Sequence, residues 1–193
     1  MTIPPCDVVE LRRYTLHSGA REALIDLFDR ELVETQEAVG LYVLGQFRDL
    51  DDPDSFVWLR GFRDMRARAR GLEDFYGGPV WRKHRDAANA TMIDSDDVLL
   101  LRATAPIEHD PRRRTTRSDS PIVTLTVHHL ARDASVDAPP GALVTERAAN
   151  NFPALPVRED ANVVVTFGDD GADVPATRVE FFRLSPTSRS LLP

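Results

Sequence analysis

The sequence has few of the features that mark secreted, membrane-spanning or disulfide-rich proteins. Cys6 is the single cysteine among 193 residues, which excludes an intrachain disulfide and favours a reducing compartment. No apolar run approaches the ~20 residues of a membrane-spanning helix. The opening MTIPPCD has neither the basic start nor the apolar core of a signal peptide. Of the 24 basic residues only Lys83 is a lysine, which indicates the codon bias of a GC-rich genome. We therefore expect a cytoplasmic, bacterial protein with no membrane span.

Basic charge and known catalytic motifs are also sparse. The net charge of -7 argues against a general nucleic-acid binder, whose surface is usually basic. The chain contains no glycine-rich phosphate loop, P-loop or nucleophile elbow. His128 and His129 point to opposite faces of a strand and have no acidic residue or cysteine at ligand spacing nearby. We therefore expect no metal site and no cofactor.

One order of secondary-structure elements occurs twice in the chain. The first half reads strand, helix, strand, strand, helix, strand, which is the ferredoxin-like unit. The second half repeats the strands in PIVTLTVHHL, GALVTERAA, NVVVTFGDD and TRVEFFRL but has no segment long enough for either helix. We therefore predict an α+β protein of tandem ferredoxin-like (βαββαβ) repeats, the second without its helices. The first repeat covers residues 1–104, a polar linker covers 105–120, and the degenerate second repeat covers 121–193.

Turn and cap residues set the bounds of the predicted elements in the first half. Ser18 with Gly19 begins one helical region and Gly40 ends it. Gly77-Gly78-Pro79 interrupts the next, because proline suits the first turn of a helix and not its interior. The predicted strands are 8–17, 42–50, 55–62 and 98–103, and the predicted helices are 20–39, 64–76 and 79–92.

The alternation of these strands separates an apolar face of the sheet from a mixed one. The apolar face carries Val43, Phe47, Val57, Leu59, Leu99 and Leu101. The mixed face carries Glu10, Arg12, Tyr14, Gln46, Arg48, Trp58, Arg60 and Arg102. The mixed face is either a solvated, salt-bridged surface with Glu10 paired to Arg12 or Arg60, or a polar pocket lined by Tyr14, Trp58 and Arg60. The pattern does not decide which face would line a barrel.

Two titratable residues lie in the middle of apolar helix stripes. His84 shares its stripe with Trp81 and Ala88, and Glu31 lies between Leu27 and Thr35. Together they form either a general acid–base pair or a site for a polar ligand head. Alternatively, His84 is a packed core residue and Glu31 reaches solvent at the edge of the sheet. We expect His84 and Trp81 to line a cleft with Trp58 or Leu59.

Three segments resemble the NIPSNAP family, which belongs to the dimeric α+β barrel superfamily. They are VVELRRYTLHSGAREALIDLFDREL, VLGQFRDLDDPDSFVWLRGF and FYGGPVWRKHRDAANATMIDSDDVLLL, within residues 8–103. NNFPALPVRE and RLSPTSRS are similar to the second repeat of the family. The resemblance implies a barrel of two ferredoxin-like sheets, formed within one chain or completed by a second chain. It implies no particular reaction, because the family has no agreed activity. The wider superfamily includes cofactor-independent oxygenases, isomerases and haem enzymes.

Two functional hypotheses follow. The first is a protein that binds a small, partly apolar molecule or forms a homodimer, with Arg12, Glu31, Gln46, Trp58 and Trp81 as ligand-binding residues. The alternative is a cofactor-independent monooxygenase or isomerase in which His84, Tyr14 and Arg60 polarise a phenolic or carbonyl substrate. We expect the homodimer because the second-half sheet has no helix to cover its outer face. Two predicted strands of that sheet contain apolar alternations, which are Ile122, Thr124 and Thr126 in one and Val163, Val165 and Phe167 in the other. A large uncovered apolar face is uncommon on a soluble monomer.

Overall fold

The structure is a computed structural model that describes residues 5–105, 107, 122–168 and 173–192. The first-half strands are β1 (Val8–Leu16), β2 (Tyr42–Asp49), β3 (Ser55–Phe62) and β4 (Met92–Ala103). The helical elements are α1 (Arg21–Leu27), a π-helical turn (Phe28–Leu32), α2 (Val33–Glu37), α3 (Met65–Tyr76) and α4 (Pro79–Asn89). The second-half strands are β5 (Val123–His129), β6 (Leu143–Thr145), β7 (Val163–Phe167) and β8 (Arg178–Pro186).

The strands close into one antiparallel barrel in the order β1-β3-β2-β8-β5-β7-β6-β4. The first half contributes four neighbours in the order β4-β1-β3-β2, as in a ferredoxin-like sheet. The two halves join where β2 pairs with β8 and where β4 pairs with β6. The ferredoxin-like α+β prediction is confirmed at this level. A closed barrel leaves no unpaired strand edge to associate with another chain.

The barrel interior is filled with apolar side chains from both halves. Leu191 and Leu192 of the C-terminal segment join this core, and their backbone N–H groups donate to the Leu44 carbonyl oxygen at 3.1 and 3.0 Å. The strand residues of the core are Val9, Leu11, Leu44, Phe47, Val57, Leu59, Leu99, Leu101, Val123, Leu125, Val127, Leu143, Val163, Val165 and Leu184. The apolar face of the first-half sheet therefore lines the barrel, and the mixed face points outward.

The helices cover the mixed face of the first-half sheet. Asp64 caps α3 by accepting a hydrogen bond from the Ala67 backbone N–H at 2.7 Å, and Pro79 is the first residue of α4. A second apolar core lies between this sheet and the helices. Except at Arg48 and Arg102, the mixed face is consequently buried, and its buried charged groups need partners within the protein.

The crossover segments of the second half cover part of its own outer face. Between β5 and β6, and in the described part of the β7–β8 connection, the chain forms no helix. Leu130, Ala142 and Val164 instead form a small apolar cluster against residues such as Val136 and Val174. The outer surface of β8 stays open to solvent, with Phe181 70% exposed, whereas Thr126 and His128 on the outer face of β5 are buried. The predicted linker over 105–120 lies, apart from Ala105 and Ile107, outside the described residues.

A β-bulge corrects the predicted face of Val43. The register shifts between Val43 and Gly45, so that Val43 pairs with Arg60 and packs under the helices while Leu44 enters the barrel. One extra residue in a strand reverses the faces on either side of it. A period-two pattern carries no mark of such an insertion.

Two other predicted features also change. The strand predicted at 98–103 begins at Met92, because residues 92–97 extend the pairing with β1, and α4 ends at Asn89 rather than at 92. In the second half, Val163 and Val165 point into the barrel, while Ile122 is exposed. In the described part of the chain, no helix is long and apolar enough to cross a membrane.

Candidate functional site

A cavity with aromatic walls lies between the mixed face of the sheet and the helices. It measures about 30 Å³, which is room for about two water molecules. Its walls are mostly apolar with a few polar groups, as in small-molecule sites, and a larger molecule enters only if side chains of the wall move apart. Its lining residues are Tyr14, Leu24, Phe28, Leu32, Gln36, Trp58, Phe75, Tyr76, Trp81, Ala88 and Met92.

The aromatic rings of the cavity are in edge contact with one another. The ring centroids of Tyr14 and Trp58 are 5.9 Å apart and the planes are 80° apart. Trp58 also contacts Phe28 at 4.8 Å, and Tyr76 contacts Trp81 at 5.0 Å. Such edge-to-face pairs are favourable and hold each ring in one orientation. The walls are therefore preformed by packing between strands and helices.

The floor beside this cavity is a buried cluster of one carboxylate and three guanidinium groups. Arg60 Nη2 lies 2.6 Å from Glu10 Oε2, Arg12 Nη1 lies 2.8 Å from the same oxygen, and Arg68 Nη2 lies 2.7 Å from Glu10 Oε1. Arg60 Nη1 also donates to Gln36 Oε1 at 3.1 Å, and Gln36 Nε2 donates to the Leu32 carbonyl oxygen at 3.1 Å. All four charged side chains are 1% exposed or less. The cluster thus carries two positive charges more than its one carboxylate can neutralise.

The charges of this cluster shift the pKa values of its members. Burial alone would raise the pKa of Glu10, but Arg60, Arg12 and Arg68 together hold it well below its usual range. Burial lowers the pKa of Arg68, with Arg60 and Arg12 adding to the effect, although arginine stays protonated in proteins. Burial raises the pKa of Tyr14, and Arg12 offsets only part of that rise. At neutral pH the site therefore holds an ionised Glu10, three arginine cations and a neutral Tyr14.

Aromatic faces take up part of the excess positive charge. The guanidinium carbon of Arg60 lies 5.1 Å from the Trp58 ring centroid, and that of Arg12 lies 5.6 Å from the rings of both Trp58 and Tyr14. A cation over an aromatic face is attracted by the negative potential of the ring. The rings of Tyr14 and Trp58, which form part of the cavity wall, therefore lie between the cavity and the arginine side chains of the floor.

Residues from the second half complete the floor. Arg68 Nη1 donates to Asn150 Oδ1 at 3.0 Å and to Asn151 Oδ1 at 2.8 Å. Arg68, Asn150 and Asn151 were not among the predicted site residues. Arg68 shares one stripe of α3 with the buried Leu72 and Phe75, so a charge within an apolar stripe was the signal that would have found it. The two asparagines begin the segment NNFPALPVRE, but their contact with Arg68 could not be predicted locally because Arg68 is 82 and 83 residues away.

His84 and Glu31 lie beside the cavity rather than in its wall. His84 Nε2 is 3.4 Å from Glu31 Oε2, with 16% and 35% of the two side chains exposed. The pair bridges α4 and the π-helical turn. Trp81 and Ala88, three residues before His84 and four residues after it, both line the cavity. The two candidate residues are therefore close together and near in the chain to residues of the cavity lining.

The remaining candidate residues divide between the cavity and other places. Tyr14, Trp58 and Trp81 line the cavity, while Arg12 and Arg60 lie in the floor. Gln46 is buried on the same sheet face, opposite Trp58, but it is not part of the cavity lining. Its backbone carbonyl oxygen accepts a hydrogen bond from the Thr187 backbone N–H at 2.8 Å. Leu59, the alternative neighbour for Trp81, points into the barrel. Arg102 is exposed and pairs with Glu146.

Two other recesses occur in the described residues. One, of about 30 Å³, lies at a barrel mouth where Arg13, Asp97 and Glu180 surround apolar strand residues. Arg13 Nη2 lies 2.5 Å from Asp97 Oδ2, so this rim is neutralised by its own ion pairs. The other, of about 280 Å³, is a polar crevice under residues 145–161. Among the described residues, no group of three or more histidine, cysteine, aspartate or glutamate side chains could hold a metal ion.

Sequence comparison matches residues 9–106 to the NIPSNAP family. No functionally curated protein matches the chain significantly. The matched range covers β1 to β4 and the helices, and therefore every residue of the cavity lining.

Comparison of folds finds related structures of two kinds. A NIPSNAP domain protein from Burkholderia xenovorans is 17% identical over 49% of this chain and 91% of its own, with a TM-score of 0.45. A NIPSNAP family protein of unknown function from Agrobacterium tumefaciens strain C58 is 19% identical over 50% of this chain and 87% of its own, with a TM-score of 0.46. A provisionally assigned monooxygenase from Lactobacillus acidophilus NCFM is 10% identical over 94% of both chains, with a TM-score of 0.57. This last likeness shows that the whole barrel fold also occurs in another single chain.

Proposed function

The chain belongs to the NIPSNAP family, and from this membership and the cavity we propose that it binds a small, partly apolar molecule between the first-half sheet and its helices. The observation that carries the proposal is the aromatic cavity set against a buried polar floor. Apolar walls supply most of the binding free energy of a small molecule, and a few polar groups orient it. The cavity has both, since Tyr14, Gln36 and Tyr76 are polar residues of its otherwise mostly apolar lining.

Intrinsic fluorescence offers a direct test of this binding. The chain has two tryptophans, and both Trp58 and Trp81 line the cavity. A panel of small aromatic compounds should therefore change tryptophan emission saturably, and should raise the melting temperature because a ligand that binds only the folded state stabilises it. A panel that changes neither quantity would overturn the proposal.

A pair of neighbouring variants separates binding in the cavity from binding elsewhere. Ala88 is buried in the cavity wall, while Ala87 is exposed on the same helix. Ala88→Leu fills the cavity and should abolish the emission change, at an overpacking cost of about 1–3 kcal/mol in folding. Ala87→Leu adds the same side chain on the solvent face and should bind as the unaltered protein does. Equal binding by both variants would place the ligand outside the cavity.

The alternative function is a cofactor-independent monooxygenase or isomerase acting on a phenolic or carbonyl substrate. The observation that favours it is the contact between His84 and Glu31 beside the cavity, because a histidine oriented by a carboxylate can act as a general base. Tyr14 and Arg60 would then polarise the substrate oxygen. An oxygen electrode with a panel of phenols and quinones tests the oxygenase, and nuclear magnetic resonance of carbonyl compounds in the presence of the protein tests the isomerase.

The second half supports a tandem-repeat interpretation of the whole chain. Its strand order β8-β5-β7-β6 has the same form as β4-β1-β3-β2 in the first half. We infer that residues 121–193 are a ferredoxin-like repeat without helices, joined by a linker over 105–120 to the first repeat at 1–104. The homodimer, the bacterial source and the cytoplasmic location stay predictions.

A further inference from the structure

We propose that the cavity binds its ligand through a negatively charged oxygen held by two donors, the Tyr14 hydroxyl and the Trp58 indole N–H. The ligand class is then an aromatic phenolate or an enolate. The inference rests on the proposed function, since it names what the cavity binds. It follows from three observations on the cavity wall and floor.

The first observation is an unpartnered donor in the wall. Trp58 is buried and lines the cavity, and its Nε1–H has no acceptor within the part of the chain that the structure describes. A buried donor without an acceptor costs about 1–3 kcal/mol of stability. A ligand oxygen in the cavity would supply the missing acceptor.

The second observation is the hydrogen-bond direction at Tyr14. Arg12 Nε donates to the Tyr14 hydroxyl oxygen at 3.0 Å, so the hydroxyl hydrogen must point elsewhere. Among the described residues no acceptor for this hydrogen is found, and Tyr14 lines the cavity. Because burial raises the pKa of Tyr14, the hydrogen is present at neutral pH. The cross-strand partner of Trp58 is Arg12, two residues before Tyr14, so the two donors are diagonal neighbours on one wall.

The third observation is the charge behind these donors. Glu10 neutralises one of the three guanidinium groups of Arg12, Arg60 and Arg68, and the phenol of Tyr76 is the other titratable group in the cavity lining. His84 and Glu31 pair with each other outside the cavity lining. The field at the two donors is therefore positive, which favours an anion over its neutral acid and acts against the effect of burial, as it does in part at Tyr14.

The N–H groups of Arg60 and Arg12 that already donate hydrogen bonds within the protein indicate which class of anion fits the cavity. Arg60 uses its three nitrogens on Glu10 and Gln36, and Arg12 donates to Glu10 and Tyr14. Bidentate recognition of a phosphate or carboxylate needs a free guanidinium edge. Two single donors on one wall of an aromatic cavity instead suit one oxygen on a flat, apolar body, as an oxyanion site does.

The test uses 4-nitrophenol, whose ionised form has its own visible absorption band, and 4-nitroanisole, a similar molecule that cannot ionise. We expect bound 4-nitrophenol to appear as phenolate at a pH where it is mainly neutral in solution. A fall of one unit in its apparent pKa corresponds to a preference of about tenfold for the anion. 4-Nitroanisole should bind at least about tenfold more weakly than 4-nitrophenol, because a one-unit change in pKa corresponds to a tenfold change in affinity.

Three variants locate the effect. Tyr14→Phe and Trp58→Phe each remove one donor and should reduce the phenolate preference about tenfold, while Tyr42→Phe removes a phenolic hydroxyl outside the cavity and should leave the preference unchanged. The measurement on the unaltered protein decides the question even if one variant does not fold. Binding of 4-nitrophenol as the neutral acid would overturn the anion site and leave the proposed function standing. Failure of both compounds to bind would overturn both.

Discussion

Glu10 is the residue on which the buried arginine floor depends. Its carboxylate contacts Arg12, Arg60 and Arg68. Glu10→Gln leaves three buried cations without a counter-charge, so we expect a loss of about 3–5 kcal/mol in the free energy of unfolding, measured in urea. Glu22→Gln is the matched control, because Glu22 pairs with Arg48 at the surface and should cost about 1 kcal/mol or less. Equal losses for both variants would contradict a special role for Glu10.

The lowered pKa of Glu10 also predicts how stability depends on pH. The folded state binds the Glu10 proton more weakly than the unfolded chain does, so the contribution of Glu10 to stability is complete above the ordinary carboxyl pKa of about 4.3. As the pH falls below that value, the contribution is lost progressively. The free energy of unfolding of the protein should therefore fall more steeply with acid than that of the Glu10→Gln variant. Parallel pH profiles would show that Glu10 is not ionised in the folded state.

His84 separates the enzymatic hypothesis from the structural one. If His84 is a base, His84→Ala should abolish any turnover of a phenolic or carbonyl substrate while the melting temperature changes by only a few degrees. If it only packs between α4 and the π-helical turn, the same change should cost roughly 1–3 kcal/mol of stability. Activity and thermal unfolding of one preparation distinguish the two. His84→Gln, which keeps a hydrogen-bonding group towards Glu31, is the control.

Single residues were predictable where the local pattern was broken. His84 and Glu31 stood out as polar residues in apolar stripes, and they are in contact. The pairing of Glu10 with Arg12 and Arg60 followed from their shared face. Arg68 and Asn150 could not be connected by such reasoning, because α3 and the segment after β6 meet only through tertiary packing.

At the scale of elements, close packing of α3 on the segment before β2 depends on Gly71. A Cβ atom at position 71 would lie 2.9 Å from the carbonyl oxygen of Val39 and closer still to Leu41. In an exposed helix Gly→Ala stabilises by up to about 1 kcal/mol, but here we expect Gly71→Ala to destabilise by roughly 1–3 kcal/mol. Thermal unfolding measures the change. Arg70→Ala, an exposed neighbour on the same helix, should be close to neutral.

The bounds of the strands were predictable from the alternation of their residues, except where pairing with a neighbouring strand outweighs the low strand propensity of a segment. Residues 55–62 were predicted as a strand and β3 has those bounds. The start of β4 was missed because acidic residues 94, 96 and 97 disfavour a strand, yet β1 pairs with this segment through two register shifts. The bulge at Leu44 was missed for a related reason, since only the partner strand defines the extra residue.

At the scale of the whole molecule, the barrel closes within one chain. The repeated strand order indicated two sheets, but the pattern did not decide which face would form the interior. The structure places the apolar face inside, because that face can pack against the apolar residues of β5 and β7 without leaving charges unpaired. A second chain is therefore not needed to complete the barrel, and any dimer must use another surface.

The outer face of β8, together with Ile122 just before β5, is the surface where we expect that dimer. Phe181 is 70% exposed there and Ile122 61%, with Val179 on the same strand as Phe181. A two-fold pairing of this face would bury these residues, within an interface of more than ~1,000 Å². Light scattering after size exclusion at low micromolar concentration should give a dimer mass, and Phe181→Arg should return the 21.6 kDa monomer. Ile93→Arg, at an exposed position on β4, should leave the dimer intact. A monomer at all concentrations in the unaltered protein would show that crossover residues such as Val136 and Val174 already give the second half enough cover.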